Sequence, residues 1–343
     1  MPSGQGNIYR QLNGRRLLTG LVLLVVMLVL IVVDLGMGSS GIGLGDVVAA
    51  LVAGPDGDTA NTAILWFIRL PMTLTCVFVG GSLSLAGLQI QTITNNALAS
   101  PYTLGITAGA SFGAAIAITL GLSLAGQLWM GTALLALVFA LAVSLLIFHL
   151  GRLRGMSPNT LILSGIIMNF FFQALQQYLQ YRASPEIAQV ISGWTFGNLQ
   201  RSSWVSVAVS GCLLVMGVVL LAGWSWRLTV LTTGEERARS LGINVERLRL
   251  YVFLVCSFLI AGAVGFIGTV AFVGLVAPHC AKLMLGEDQR YLLPGATILG
   301  SLMLLASSIA SKLLSGGSML PVGIITSIVG VPFLFVLLMK KGR

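Results

Sequence analysis

Long apolar runs, separated by short polar or glycine-rich connections, recur along the whole chain. Ten of them predict membrane-crossing helices, at 17–33, 72–91, 102–121, 124–148, 160–181, 204–222, 250–269, 270–284, 291–311 and 321–339. Most approach the roughly 20 residues that cross a bilayer as a helix. The longest polar interruption between the later runs, 223–249, contains TTGEERARSLGIN. It opens with two overlapping capping boxes, Thr232 with Glu235 and Thr233 with Glu236, and Gly242 stands where a C-terminal glycine ends a helix. Ala238 and Leu241 fall on one face. The pattern predicts a short helix outside the bilayer.

Composition fixes the class. Of 343 residues 56% are hydrophobic, only 8% carry charge, and mean hydropathy is +0.97. A soluble domain carries roughly 25% charged residues, so a soluble globule and a disordered chain are both excluded. The 42 glycines fit membrane helices. The expected fold is all-α: one polytopic transmembrane helical bundle of about ten spans over 1–343, with a short cytoplasmic N-terminal tail at 1–16. Arg15 and Arg16 before the first run, with no small-residue cleavage site after it, favour a signal anchor over a removable signal peptide. Cys76, Cys212, Cys256 and Cys280 lie in apolar runs without paired spacing and read as packing residues.

Charge orients the chain. With the N-terminus inside, 15 of the 19 Lys and Arg fall on the cytoplasmic side, while the acids divide evenly. This obeys the positive-inside rule, so the net charge of +9 reports topology and not nucleic-acid binding. Both termini are then cytoplasmic in a cell (inner) membrane. Arg69 and Lys312 are exceptions at outer span ends. They read either as snorkelling anchors or as a basic docking patch for an acidic partner.

No ionisable residue is expected near the middle of a span, which disfavours ion coupling. None of the four lysines follows a glycine, so there is no Walker A motif. Active transport would need a partner to supply energy, and the 232–242 helix is the candidate contact for an ATPase subunit. The competing reading is an amphipathic helix on anionic lipid.

Other patterns are secondary. Gly105, Gly109 and Gly113 form a small-residue stripe for close helix packing. GASFG around Ser111 matches a hydrolase nucleophile pattern but lies mid-helix with no acid or histidine partner. His149 and His279 lack a third metal ligand. Pro71, Pro101, Pro158, Pro294 and Pro321 mark span starts, and Pro278 should distort its span. Arg69, Gly87 and Pro101 are echoed by Arg247, Gly265 and Pro278 at nearly equal spacing, a weak inverted repeat.

Five stretches in this order resemble the permease subunits of type II ABC importers for iron-siderophores, haem and cobalamin. They are RLPM (69–72) leading into GGSLSLAGLQIQ, NNALASPYTLGITAGASFGA, GEERARSLGIN, GLVAPHCAKLMLGEDQRYLLPG and LPVGIITSIVGVPFLFVLL. The resemblance implies a ten-span subunit pairing with itself or a sister permease. It implies cytoplasmic ABC ATPases below, holding ATP and Mg, and a periplasmic or lipid-anchored binding protein above. No cofactor is implied for this chain. By the same resemblance Arg69 and Lys312 dock the binding protein. Glu235, Glu236, Ala238, Leu241 and Gly242 couple the ATPase. Asn96, Leu98, Ser157 and Pro158 form the cytoplasmic gate turns. The family's second docking Arg is Met72 here, its Glu before LPVG is Met319, and NNALA replaces the commoner N-P-L-A. Asn95, Asn96, Asn169, Gln173, Gln176 and Gln177 are expected along the path. The cargo expected first is an iron-siderophore, with haem or cobalamin as alternatives. An ion-coupled secondary transporter and a membrane hydrolase are the competing classes.

Overall fold

The structure, a computed structural model, describes residues 3–38, 41–57, 59–124, 126–315 and 319–341. Its helices are α1 (Ser3–Gly36), α2 (Leu44–Ala53), α3 (Ala60–Ile64), α4 (Leu70–Ile93), α5 (Ile106–Thr119), α6 (Leu128–Leu153), α7 (Pro158–Arg182), α8 (Pro185–Thr195), α9 (Trp204–Gly223), α10 (Ser225–Thr232), α11 (Glu235–Ser240), α12 (Val245–Ile267), α13 (Val273–Leu285), α14 (Gln289–Leu314) and α15 (Val322–Lys341). No strand occurs among the described residues. Seven helices among them are long and apolar enough to cross a membrane, and α5, α13 and the 322–336 part of α15 are shorter apolar helices. Together they match the ten expected runs one for one. The protein is an integral membrane helical bundle.

Two expected spans are shorter than the sequence suggested. α5 has 14 residues and α13 has 13, about 20 Å each, against a hydrocarbon core of about 30 Å. Each follows a non-helical segment, 94–105 and 268–272. Such backbone is tolerated at membrane depth only when protein satisfies it. Here α8, which the hydrophobic pattern did not reveal, ends against the second break. Asn198 N donates to Ile267 O (2.7 Å), Thr269 Oγ1 donates to Thr195 O, and Val322 N donates to Gly197 O (2.9 Å). Gly268 takes φ +84°, and a Cβ there would strike Trp194 O.

At the centre stands α4, of whose 24 residues 21 are buried. It packs against α14, α12, α13 and α9. Small residues allow this. A Cβ built on Gly80 would lie 2.5 Å from Gly300 O, and one on Gly87 only 1.8 Å from Gly274 O. Hydroxyls tie the same interfaces: Ser84 donates to Ala296 O (2.6 Å) and Ser301 to Val77 O (2.7 Å). With no hydrophobic force between helices in lipid, close packing and such bonds hold them together. Ahead of α4 the helix widens to a π turn at Leu65–Arg69. Pro71 follows, and its ring would clash with the carbonyl four residues back in a regular helix.

The internal repeat has a structural counterpart, though not through the prolines. α4, α5 and α6 have 24, 14 and 26 residues; α12, α13 and α14 have 23, 13 and 26. Pro101, however, lies in the segment before α5, whereas Pro278 lies within α13, which continues through it. Pro294 is likewise inside α14 and not at its start. Of the glycine stripe, Gly109 and Gly113 face α6, but Gly105 is the left-handed residue before α5 and abuts Asn169. The helix of the first run extends back through the expected tail to Ser3.

Gly87→Val therefore forces α4 and α13 apart. We expect a loss near the upper end of the roughly 1–3 kcal/mol seen on overpacking. Gly193→Ala, inside α8 with nothing within 4 Å of the added Cβ, should instead raise stability by up to about 1 kcal/mol. Thermal unfolding of the detergent-purified variants measures both.

Candidate functional site

Two faces of the bundle carry the chemistry-bearing residues. On one lie Asp34, Arg69 and Lys312; on the other, the arginine-rich face, lie α10, α11 and the turns after α4 and α6.

Arg69 and Lys312 are buried, at 4% and 7% exposure. Lys312 Nζ lies 2.7 Å from Asp34 Oδ1 and 2.8 Å from Asp34 O. Asp34 also accepts bonds from Thr73 Oγ1 (2.5 Å) and Ser308 Oγ (2.8 Å). Arg69 Nη1 donates to Leu35 O (2.7 Å) and Gly36 O (3.1 Å). The last carbonyls of a helix have no partner within it and favour cations, and both side chains serve the end of α1. Within the subunit, Arg69 and Lys312 fasten α1 to α4 and α14. Snorkelling does not describe them. Asp34, just past the first apolar run, is fully buried beside them. Local pattern could not reveal it, because its partners are 39 and 274–278 residues away.

On the arginine-rich face, α11 begins at Glu235 after Gly234 with no side-chain cap. The expected capping boxes do not form. Thr232 and Thr233 instead donate to Thr229 O and Val230 O, closing α10. Gly242 does end α11 as expected, at φ +79°, with Gly242 N bonded to Arg239 O and Ile243 N to Ala238 O (both 3.0 Å). Ala238 is fully buried, whereas Leu241 is 59% exposed, so the two do not share a face. Glu236, Arg237, Ser240, Leu241 and Gly242 form the exposed side. Glu235 turns inward and bridges Arg239 (2.8 Å) and Arg249 (2.9 Å). Beside it opens a groove of about 440 Å³ lined by Arg239, Gly242, Ile243, Asn244, Val245 and Glu246.

The expected gate residues lie on the same face in two separate turns. After α4, Asn95 is left-handed (φ +44°), and Asn96 Oδ1 accepts a bond from Leu98 N (2.8 Å), leaving Leu98 half exposed. After α6, Gly155 and Met156 are both left-handed. Ser157 then caps α7 by accepting from Thr160 N (3.2 Å), with Pro158 as the first helical residue. Asn95 and Asn96 line a cavity of about 430 Å³ with Gln91, His279, Lys282 and Gln289. Gln173, Gln176 and Gln177 line a separate one of about 210 Å³ with Tyr102, Ser111, Thr195 and Thr269. Asn169 accepts a bond from Gln173 (3.4 Å). The six expected path residues thus divide between two places. Ser111 sits within α5, not on a strand-to-helix elbow, and no group of three metal-ligating side chains occurs among the described residues.

The residue missed by the sequence reading is Arg249, only 2% exposed. It donates to Ile93 O (3.0 Å), Met156 O (2.7 Å) and Glu235. A signal was present. Val245, Leu248, Arg249, Val252, Phe253 and Cys256 recur at helical spacing and are all buried, so periodicity places Arg249 on the packed stripe.

Seven membrane-length apolar helices and three shorter ones among the described residues, two of the short ones beside non-helical breaks, with a short, partly exposed helix on one face, fit a transporter permease. The chain belongs to the FecCD transport family, whose profile matches residues 24–340, and it is the permease subunit of an ABC importer. The hemin transport system permease protein of Yersinia pestis is 31% identical over 334 residues, covering 96% of this chain and 98% of that protein. A "Probable iron chelatin transport system permease protein" of Helicobacter pylori is 35% identical over 277 residues, covering 81% and 82%. A solved transporter assigned to the metal-chelate ABC type, in an inward-facing conformation, superposes with a TM-score of 0.82 at 28% identity, covering 94% of this chain and 99% of that one.

Breaking the Asp34 cluster tests its role in fastening α1. Asp34→Leu strands the buried Lys312 cation and should cost about 3–5 kcal/mol. Asp34→Leu with Lys312→Met should cost markedly less. Thermal unfolding of the purified subunit distinguishes the two outcomes.

Proposed function

We propose that this subunit carries a metal chelate inward, driven by ABC ATPases that dock on α11 and supplied by a binding protein on the opposite face. The observation that carries this reading is the exposed side of α11. A six-residue helix is not stable alone, yet this one is held rigid by Ala238 and Glu235 and presents Leu241 and Gly242 outward. An isolated exposed leucine ringed by Glu236, Arg237 and Ser240 suits insertion into a cleft of a soluble partner. Charge bias along the sequence supports placing this face, and both termini, in the cytoplasm. ATP and Mg would be held by the partner, since the chain has no Walker lysine.

The turns at 95–98 and 155–158 are proposed as the inner gate. The amide- and hydroxyl-lined cavity around Gln173, Gln176 and Gln177 is proposed as part of the path. Neutral amides bind a variably charged chelate weakly, which suits a conduit whose selection lies in the binding protein. The relatives named for hemin and iron chelatin support a metal chelate as cargo, with an iron-siderophore first and haem or cobalamin as alternatives. A second permease copy or homologue would complete the path. Arg69 and Lys312, gathered with Asp34 at the end of α1, are proposed to mark the face that the binding protein meets.

Reconstitution tests the reading. Proteoliposomes holding the permease with its ATPase should accumulate ferric siderophore, haem or cobalamin only with ATP inside and binding protein outside. Accumulation by the permease alone, driven by an ion gradient, would refute it. Within that system Gly242→Val should lower uptake severalfold, because a β-branched residue at positive φ costs roughly 1–2 kcal/mol and reshapes the end of α11. Unchanged uptake would remove Gly242 from the coupling surface.

A further inference from the structure

Arg249 stands in the second turn of α12 and its side chain is 2% exposed. Its guanidinium bonds in three directions. Nη2 meets Glu235 Oε2 on α11 (2.9 Å), Nη1 meets Met156 O in the turn after α6 (2.7 Å), and Nε meets Ile93 O at the end of α4 (3.0 Å). The partners come from segments 14, 93 and 156 residues away. Each contact adjoins a gate turn or α11. Ile93 precedes the Asn95–Leu98 turn, Met156 precedes Ser157, and Glu235 opens α11.

The chemistry of these contacts is specific to arginine. Ile93 O is a terminal carbonyl of α4 and lacks a helical partner. Met156 is left-handed, which turns its carbonyl out of any regular helix. A planar guanidinium offers five donors in a fixed fork, so it can hold both carbonyls and a carboxylate at once. A lysine ammonium is a compact point donor on a flexible stem and cannot span all three. Buried hydrogen bonds to a charged group are also the strong ones, and removing the guanidinium would leave two buried carbonyls without this partner.

We infer that Arg249 is the positioning residue that makes α11 and both gate turns shift as one body when the ATPase displaces α11. This rests on the reading that α11 meets an ATPase. Arg249 touches neither cargo nor nucleotide; it acts by fixing Glu235, Ile93 and Met156 relative to each other.

The test uses the full transporter, with ATPase and binding protein, in proteoliposomes. Arg249→Gln keeps two donors but loses the charge and the fork; Arg249→Lys keeps only the charge. In both, ATP hydrolysis per assembled complex should stay within about twofold of the parent, while cargo moved per ATP falls by about tenfold or more, the scale of ordinary site-to-site coupling. A second readout is the distance between spin labels at Ser240→Cys on α11 and Leu98→Cys in the first turn, with Cys212 and Cys280 replaced by Ser. In the parent it should stay constant with and without ATP; in Arg249→Gln it should change with nucleotide. Unchanged cargo per ATP would overturn the inference. So would a parallel loss of uptake and hydrolysis with a constant label distance, which would mark Arg249 as support for the fold alone. Failure of the underlying reading looks different: the parent complex itself would then show no ATP-dependent uptake.

Discussion

Hydrocarbon offers no hydrogen bonds, so every backbone group at membrane depth must find a partner in the protein. The rest of this structure follows from that constraint. Where the chain stays helical, each turn satisfies itself. Where it breaks, at 94–105 and 268–272, local turns or other segments must supply the bonds. The end of α8 and the segment after it do so at the second break, where Asn198 N donates to Ile267 O and Thr269 Oγ1 to Thr195 O. The breaks can therefore exist only inside a bundle whose centre is already packed. That centre is α4, held by glycine approaches to α13 and α14 and by serine hydroxyls reaching carbonyls across the interface.

The same constraint explains how charge is used. At both ends of the bundle, buried cations finish on carbonyls that helices cannot satisfy themselves. Arg69 and Lys312 close the end of α1, with Asp34 balancing the lysine. Arg249 closes the end of α4 and reaches across to a second turn, with Glu235 as its counter-charge. The consequences differ with what is joined. The first cluster fastens a peripheral helix, which is little buried along its apolar run. The second joins an external helix to two interior turns, an arrangement suited to passing a displacement inward.

Much of the bundle was legible because length and polarity of an apolar run are local properties. All ten runs became helices, and Gly242 ends α11 because a left-handed position selects glycine wherever the chain lies. The capping boxes at Thr232 and Thr233 misled for an equally local reason. A threonine hydroxyl can serve the helix behind it as readily as the one ahead, and here α10 claimed both. α8 escaped notice because its eleven residues are too few and too polar to resemble a span. Arg249 is harder to see because an arginine beside a polar loop resembles a flanking charge, although its spacing with Val245, Leu248 and Val252 places it on the buried stripe.

Sequence alone determined that this is a membrane bundle, how many apolar segments it has, and which end carries the basic residues, because each of these depends on neighbours in the chain. Tertiary structure decided that α5 and α13 are shortened helices, that Arg69 and Lys312 face inward, and that Arg249 meets Ile93, Met156 and Glu235. Those outcomes depend on which distant carbonyls and carboxylates lie within hydrogen-bond reach, and only the packing of α4 against its neighbours brings them there.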